Sequence, residues 1–324
     1  MKRNITLDFT KLILSFLVVI IHNPIFTDFR FFSNLITNGL ARIAVPCFFV
    51  LNGLYIGKVL SNRASFRKYL KKVFTFYVVW MLIYAPFYLF HYTEDLTKSI
   101  LTNVSSILFG FWHLWYIVGL IGGASCLYYL KTKGVGDKKL LRIAIFLFGI
   151  GWGIQQLELF YPNEEGLLGS IIRSSYPSRN FLFMGLPFIA IGYLISKESF
   201  VARIKQKLIS IPFLLFLFTL LFSETILHYF LIGRRGFDFY ISLILLCPIL
   251  IMFLEKKSKT VEVKDDFISK LSAAIYFIHP LTLFLIKNTF PDFESTGSYI
   301  LILFFSMILG TALVYANKRL KIFF

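Results

Sequence analysis

Ten apolar stretches of membrane-spanning length constrain the fold of this 324-residue chain more than any other feature. A transmembrane helix needs about 20 predominantly apolar residues, with a range of about 17–25. Charged residues make up 16% of the sequence, well below the roughly 25% of soluble domains. The sequence therefore predicts an all-α, polytopic membrane bundle that forms a single integral-membrane domain over residues 1–324. The predicted spans are Leu7–Phe26, Leu40–Ile56, Leu70–Phe90, Leu114–Leu130, Leu140–Phe160, Phe181–Ile195, Leu208–Phe230, Phe237–Leu254, Ile268–Asn288 and Tyr299–Asn317.

The basic residues indicate how these spans are oriented. The net charge is +17, and most of the 34 Lys and Arg fall in alternate connections between spans. Connections rich in Lys and Arg face the cytoplasm, so both termini are expected on the cytoplasmic side. The membrane is expected to be the cell (plasma or inner) membrane. This topology accounts for most of the charge, so membrane lipids are expected partners and nucleic acid is not. The basic connections hold Lys2 and Arg3, Lys58–Lys72, Lys131–Arg142, Lys197–Lys207, Lys256–Lys270 and Lys318–Lys321.

The first span is interpreted as a retained helix and not as a cleaved signal peptide. It contains Asp8 and Lys11, and no small-residue cleavage site follows it. The cysteines Cys47, Cys126 and Cys247 lie singly in apolar spans, a pattern that suits neither disulfides nor zinc. We therefore expect no metal cofactor.

Polar residues on this first span point to function, because polar groups in hydrocarbon cost free energy and are seldom present without a role. Lys11 and His22 are eleven residues apart, about three helical turns, which places them on one face about 16 Å apart. Ser15, four residues after Lys11, joins the same face, and Asp8 lies one turn before it.

The predicted topology places all five histidines in the outer half of the membrane: His22, His91, His113, His228 and His279. Glu224 and His228 stand at i and i+4, where a carboxylate can hydrogen-bond an imidazole and orient it as a general base. Arg42, also on the outer side, could neutralise a buried acid or stabilise an oxyanion. Each residue is also compatible with a structural role as a packed polar group.

A second group of polar residues, all of them basic, lies on the predicted inner side. It could dock the phosphates of an anionic cytoplasmic cofactor, or it could only determine topology and contact lipid headgroups. The basic group consists of Arg63, Arg67, Lys68, Lys71 and Lys72.

The segment Leu96–Phe111 is amphipathic enough for an interfacial helix, although an ordered loop is an alternative.

Several segments together resemble the integral-membrane acyltransferases of acyltransferase family 3, which O-acetylate cell-surface glycans and related acceptors. The resemblance covers nearly the whole chain, and it depends on the order and spacing of individually weak motifs. Lys11 stands where the family usually has Arg, Asn52 where it has Ser, and Tyr69 where it often has Arg. The matching segments are Leu7-Asp8 with Lys11 and His22, Arg42 to Gly53, Lys68 to Lys72 with Trp80, His113 to Tyr116, Arg179 to Gly192, and Ser272 to Pro280.

The resemblance implies that acetyl-CoA, or another acyl-CoA, is the donor. A hydroxyl of a surface polysaccharide or lipid-linked glycan at the outer face would be the acceptor. His22 would act as general base, or as the nucleophile of an acetyl-histidine intermediate. The expected catalytic partners of His22 are Arg42 and Glu224. The expected donor-binding residues are Lys11, Lys68, Lys71 and Lys72, and the expected acceptor-binding residues are His113, Arg179 and His279.

Two other functions fit the same residues. A transporter or exporter of a glycan or of a small polar solute, such as an amino acid, could use intramembrane His, Glu and Lys as a proton relay. A scaffold in an envelope-synthesis complex would not need His22. The sequence does not identify the acceptor.

Overall fold

The computed structural model describes residues 2–89, 96–160, 177–232, 237–258, 260–262, 266–291 and 293–323. These residues are almost entirely helical, as predicted. The helices are α1 (Ile5–His22), α2 (Arg30–Asn34), α3 (Ala44–Leu60), α4 (Arg63–Leu89), α5 (Leu96–Phe109), α6 (Trp115–Thr132), α7 (Asp137–Phe160), α8 (Leu186–Ile195), α9 (Glu198–Val201), α10 (Ile211–Ile232), α11 (Leu243–Lys256), α12 (Phe267–Thr289) and α13 (Ser295–Leu320).

Short elements of other geometry connect these helices. Two antiparallel strands, β1 (Lys2–Asn4) and β2 (Thr260–Glu262), join the start of the chain to the segment before α12. Segments of 3₁₀ helix lie at Leu40–Ile43, Trp112–Leu114 and Gln206–Leu208, and segments of π-helix lie at Leu35–Gly39 and Phe181–Gly185. π-Helical turns are rare and occur frequently at functional sites.

Eight helical segments of the described chain are long and apolar enough to cross a membrane, which supports a multi-pass membrane protein. All ten predicted spans coincide with helices. The two that fall short of this length are the segment Phe181–Ile195, which is mostly buried, and α11, of which half the residues are buried. The predicted interfacial segment forms α5, whose exposed side chains include Ile100, Val104 and Leu108.

The crossing of α3 and α8 forms the centre of the bundle, and two glycines make it possible. A Cβ atom at Gly53 would overlap the backbone carbonyl of Ile189, and one at Gly192 would overlap that of Val50. Small residues let membrane helices approach closely and gain van der Waals contact. Any side chain at either position would therefore force these two helices apart.

The remaining helices surround this crossing. α6 and α7 pack on α8, while α1 packs on α3 and α12, and α13 packs on α12. The first helix thus lies inside the bundle, and its buried side chains include Leu7, Leu14 and Val18. We call the end of the bundle that contains Lys11 the basic end, and the end that contains His22 the histidine end.

Candidate active site

Three of the five histidines meet at the histidine end. His22 ends α1, His113 lies in the 3₁₀ turn before α6, and His279 lies within α12. The ring centroids of His22 and His279 are 5.1 Å apart, and those of His113 and His279 are 5.3 Å apart. His113 and His279 are buried, whereas His22 is partly exposed. Only His22 of the three is therefore both within the cluster and open to a substrate.

The proline after His279 explains how that ring is held. A helical proline has no N–H, so the carbonyl four residues earlier loses its backbone donor. For Pro280 this carbonyl belongs to Tyr276, and the Nδ1 atom of His279 lies 2.8 Å from its oxygen. Nδ1 must carry the proton to donate to a carbonyl, which leaves Nε2 as the acceptor nitrogen of the neutral ring. Nε2 is buried without a hydrogen-bond partner among the described residues.

A strained turn places the ring of Trp112 against His22. Trp112 has φ +48° and follows Gly110, which has φ +89°. A side chain at Gly110 would collide with the backbone of Leu114 and Trp115. Left-handed backbone at a non-glycine residue costs free energy and is frequent at active sites. The Trp112 ring meets the His22 ring edge-on at 5.1 Å, so this turn positions both Trp112 and His113.

Beside the histidines, Asp238 joins two of the predicted arginines. Nη1 of Arg42 donates to Oδ1 of Asp238 at 2.6 Å, and Nη1 of Arg179 lies 3.4 Å from Oδ2. Arg42 also donates through Nη2 to Asn38, whereas its Nε is buried without a partner among the described residues. The 3₁₀ segment Leu40–Ile43, which carries Arg42, packs on α1, the helix that ends at His22. Arg179 additionally stacks on the ring of Trp115.

Asp238 was not predicted from the sequence, because a single acid at the start of an apolar span carries no motif. Its backbone is held by Gln155, whose side-chain oxygen accepts from the N–H groups of Asp238 and Phe239. A partly buried carboxylate that neutralises two cations fixes the geometry of both. Arg42 had been predicted to neutralise a buried acid, and Asp238 supplies one.

Glu224 does not meet His22 in the described structure. Its carboxylate accepts hydrogen bonds from the backbone N–H groups of Ile241 and Ser242, at 2.8 and 2.9 Å, and from the Ser242 hydroxyl. It therefore satisfies free N–H groups just before α11. The predicted bond to His228 is also not among the described contacts: Nδ1 of His228 is buried without a partner, and the ring packs on Phe237 and Tyr240. His91 lies outside the described residues.

At the basic end, a cavity of about 360 Å³ opens between α1, α3, α4, α6 and α12. Lys11 and Lys72 line it, together with Asn52, Tyr69 and mainly apolar and aromatic side chains. Nζ of Lys11 donates to Asp8 and to Ser269, each at 3.1 Å. Lys68 and Lys71 are exposed and are not among the residues that line the cavity: Lys71 lies on another face of α4, and Lys68 lies one turn before Lys72. Ser15 is buried and donates to the carbonyl of Leu12.

The cavity reaches almost to the histidines. Tyr276 lines its inner wall, and the Tyr276 hydroxyl donates to the carbonyl of His113. The rings of Tyr276 and His113 are 5.4 Å apart. A single layer of aromatic side chains therefore separates the cavity from the histidine cluster.

Comparison with known proteins identifies the class that this arrangement defines. The chain belongs to acyltransferase family 3: the family model described as an acyltransferase domain matches residues 4–316. It is thus a multi-pass membrane protein of this family. No solved structure matches the chain significantly.

Among curated proteins, the chain is similar to an amino-acid racemase of Enterococcus faecalis. The two are 25% identical over 98% of the chain and 47% of the racemase. It is also 28% identical to a serine/alanine racemase of Enterococcus gallinarum, over 87% of the chain and 41% of that protein. The chain thus spans less than half the length of these relatives.

Proposed function

We propose that the protein transfers an acetyl group from acetyl-CoA to a hydroxyl of a surface polysaccharide or lipid-linked glycan. The observation that carries this proposal is the alignment of the basic-end cavity with the histidine cluster across one aromatic layer. The donor approaches from the cytoplasm at the basic end, and the acceptor approaches from outside at the histidine end.

In this proposal the donor occupies the basic-end cavity. The pantetheine arm of acetyl-CoA is a narrow chain with an apolar surface and a few amides, which suits a cavity with mainly apolar walls and the polar groups of Asn52 and Tyr69. Lys72 at the mouth contacts a CoA phosphate, with Lys68 and Lys71 adding longer-range attraction. Lys11 stands further along the arm. The thioester reaches the histidines once the side chain of Tyr276 moves aside.

His22 acts as general base in this reaction. It takes the proton from the acceptor hydroxyl as the oxygen attacks the thioester carbon, and the thiolate of CoA leaves. The carbonyl oxygen gains negative charge, and the unpartnered Nε–H of Arg42 is available to stabilise it. Asp238 holds Arg42 in position, and His279 packs against His22. Arg179 and His113 line the acceptor side.

Proton NMR of purified surface glycan tests the proposal. Cells carry the wild-type gene, a deletion, or His22→Ala at equal membrane level. We expect the O-acetyl signal to vanish in both mutants while the quantity of glycan is unchanged. An O-acetyl signal of wild-type strength in the His22→Ala cells would contradict the role of His22, and the same signal in the deletion would contradict the acceptor.

A second candidate function is the movement of a small amino acid across the membrane. It is favoured by the relatives, whose names describe racemisation of amino acids including serine and alanine. Membrane vesicles that take up labelled serine without acyl-CoA, and lose uptake in His22→Ala, would support it. Absence of uptake together with acetyl-CoA consumption would favour the acyltransferase.

A further inference from the structure

A small polar pocket opens at the histidine end, separate from the basic-end cavity. It has a volume of about 140 Å³ and lies between the loop after α1 and the helical segments that precede α3. Its position follows from the chain path, because Pro24 in its wall is two residues after His22. Its lining residues are Pro24, Thr27, Arg30, Ser33, Asn34, Thr37 and Asn38.

The lining chemistry is unusual for a membrane bundle. Six of the seven side chains are polar, and none is a carboxylate. The side-chain amide of Asn38 donates through Nδ2 to the side-chain oxygen Oδ1 of Asn34 at 2.7 Å, so these two side chains are already fixed. The Thr37 side chain is 6% exposed, and its hydroxyl is buried without a hydrogen-bond partner among the described residues. A buried polar group left unpaired is destabilising, and a bound ligand can satisfy it.

The pocket is connected to the reacting groups through Arg42. Nη2 of Arg42 donates to the Asn38 oxygen at 2.9 Å, while its Nη1 binds Asp238. A group held against Asn38 is therefore one side chain from the proposed oxyanion donor. The π-helical turn Leu35–Gly39 places Thr37 and Asn38 there, and a Cβ atom at Gly39 of the same turn would lie 3.0 Å from the Thr225 hydroxyl of α10.

We propose that this pocket binds one sugar ring of the acceptor through its hydroxyl groups, with the Thr37 hydroxyl as a direct partner. This inference rests on the proposed acyltransferase function and deepens it by naming the acceptor subsite. The hydroxyl and amide groups match the donor and acceptor pattern of a sugar, and the exposed guanidinium of Arg30 adds further donors. The pocket is smaller than the roughly 300–1,000 Å³ typical of drug-sized ligands, so it takes one unit of a longer chain. The basic-end cavity, with its aromatic walls, suits the donor instead.

Kinetics in membrane vesicles test the assignment. The probes are radiolabelled acetyl-CoA and surface polysaccharide that has been purified from the deletion strain and de-O-acetylated by mild alkali. Thr37→Val keeps the shape of the side chain and removes the hydroxyl. We expect Thr37→Val to raise the apparent KM for polysaccharide about five- to tenfold, with the KM for acetyl-CoA unchanged. Thr37→Ser retains the hydroxyl and should remain close to wild type.

Thr219→Val is the matched control, since Thr219 is exposed on α10 and its hydroxyl donates to its own helix at Leu215. It should leave both KM values unchanged. A Thr37→Val enzyme with a wild-type KM for polysaccharide overturns the subsite, as does an equal rise in both KM values.

The subsite and the proposed function fail in different ways. If wild-type vesicles acetylate polysaccharide, His22→Ala vesicles do not, and Thr37→Val matches wild type, only the subsite is wrong. If wild-type vesicles transfer no label to polysaccharide, the proposed acceptor and the subsite are both overturned.

Discussion

The two ends of the bundle handle charge differently. At the histidine end, Arg42 and Arg179 share the carboxylate of Asp238, and their guanidinium groups are largely buried. At the basic end, Lys68, Lys71 and Lys72 are exposed on α4. Paired and buried charges cannot reorient cheaply, whereas exposed lysines move freely. The first arrangement suits the fixed geometry of a transition state, and the second suits capture of a flexible polyanion.

This contrast predicts a kinetic division. Substitutions at the histidine end should lower kcat, because they remove interactions that form in the transition state. Substitutions at the basic end should raise the KM for acyl-CoA and leave kcat nearly unchanged, because they remove ground-state binding. A substitution at the histidine end that changes only the KM for acyl-CoA, or one at the basic end that lowers only kcat, would contradict this division.

The largest effect is expected at His22. His22→Ala should lower kcat by about 10²–10⁴, the usual contribution of a general base, with little change in the KM for acetyl-CoA. The rate of transfer of labelled acetyl groups to polysaccharide in a single turnover, in membrane vesicles, measures this loss. His228→Ala is the control, because its ring packs on Phe237 and Tyr240 instead of the cluster. Equal losses in both variants would contradict a special role for the cluster.

A smaller loss is expected at Asp238. Asp238→Asn keeps the shape of the side chain but leaves two buried arginines with one neutral partner. We expect kcat to fall about 10²-fold, since the oxyanion donor is no longer held in place. The KM for acetyl-CoA should stay within about twofold of wild type. A large rise in that KM with normal kcat would place Asp238 on the donor path.

At the basic end, Lys72 and Lys71 are neighbours in sequence but differ in position. Lys72 lines the cavity and Lys71 does not. Lys72→Ala should raise the KM for acetyl-CoA about tenfold, the loss of one charge-assisted contact of about 1.4 kcal/mol. Lys71→Ala should raise it less than threefold and is the matched control. Equal effects would mean that only the summed charge matters.

The smallest effect is expected at Tyr69, whose hydroxyl is buried in the cavity wall without a partner among the described residues. If the hydroxyl bonds an amide of the donor arm, Tyr69→Phe should raise the KM for acetyl-CoA about two- to fivefold. Tyr299→Phe, on α13 outside the cavity lining, is the control. A lowered KM in Tyr69→Phe would show that the donor leaves this hydroxyl unpaired.

Much of the fold followed from the sequence alone. Hydrocarbon requires every backbone polar group to be satisfied within its own segment, so long apolar stretches in a membrane must be helices. That requirement is local, which is why each predicted span coincides with a helix. The same requirement does not fix the length of a helix: Phe181–Ile195 and α11 are shorter than the eight long spans, and both α8 and α11 pack on α3.

The resemblance to the family implied roles for His22, Arg42 and His279 in one reaction, and the structure shows how the motif around His279 holds that ring. Pro280 frees the Tyr276 carbonyl, and His279 uses it to fix its ring. The role of Glu224 could not be predicted, because two partners compete for its carboxylate. One is His228, four residues later on the same helix, and the other is the set of free N–H groups before α11, which is distant in sequence. The backbone N–H groups of Ile241 and Ser242 hold it in the structure.

What the sequence determined by itself is therefore the set of helices and the identity of most polar residues, because burial in lipid acts on each segment separately. Only the tertiary structure decided which polar groups meet. It joined Asp238 to two arginines, lined a cavity with Lys72 but not with Lys71, and gathered Thr37 and Asn38 into a pocket next to Arg42. Such contacts depend on how helices distant in sequence pack together, and no local pattern records that packing.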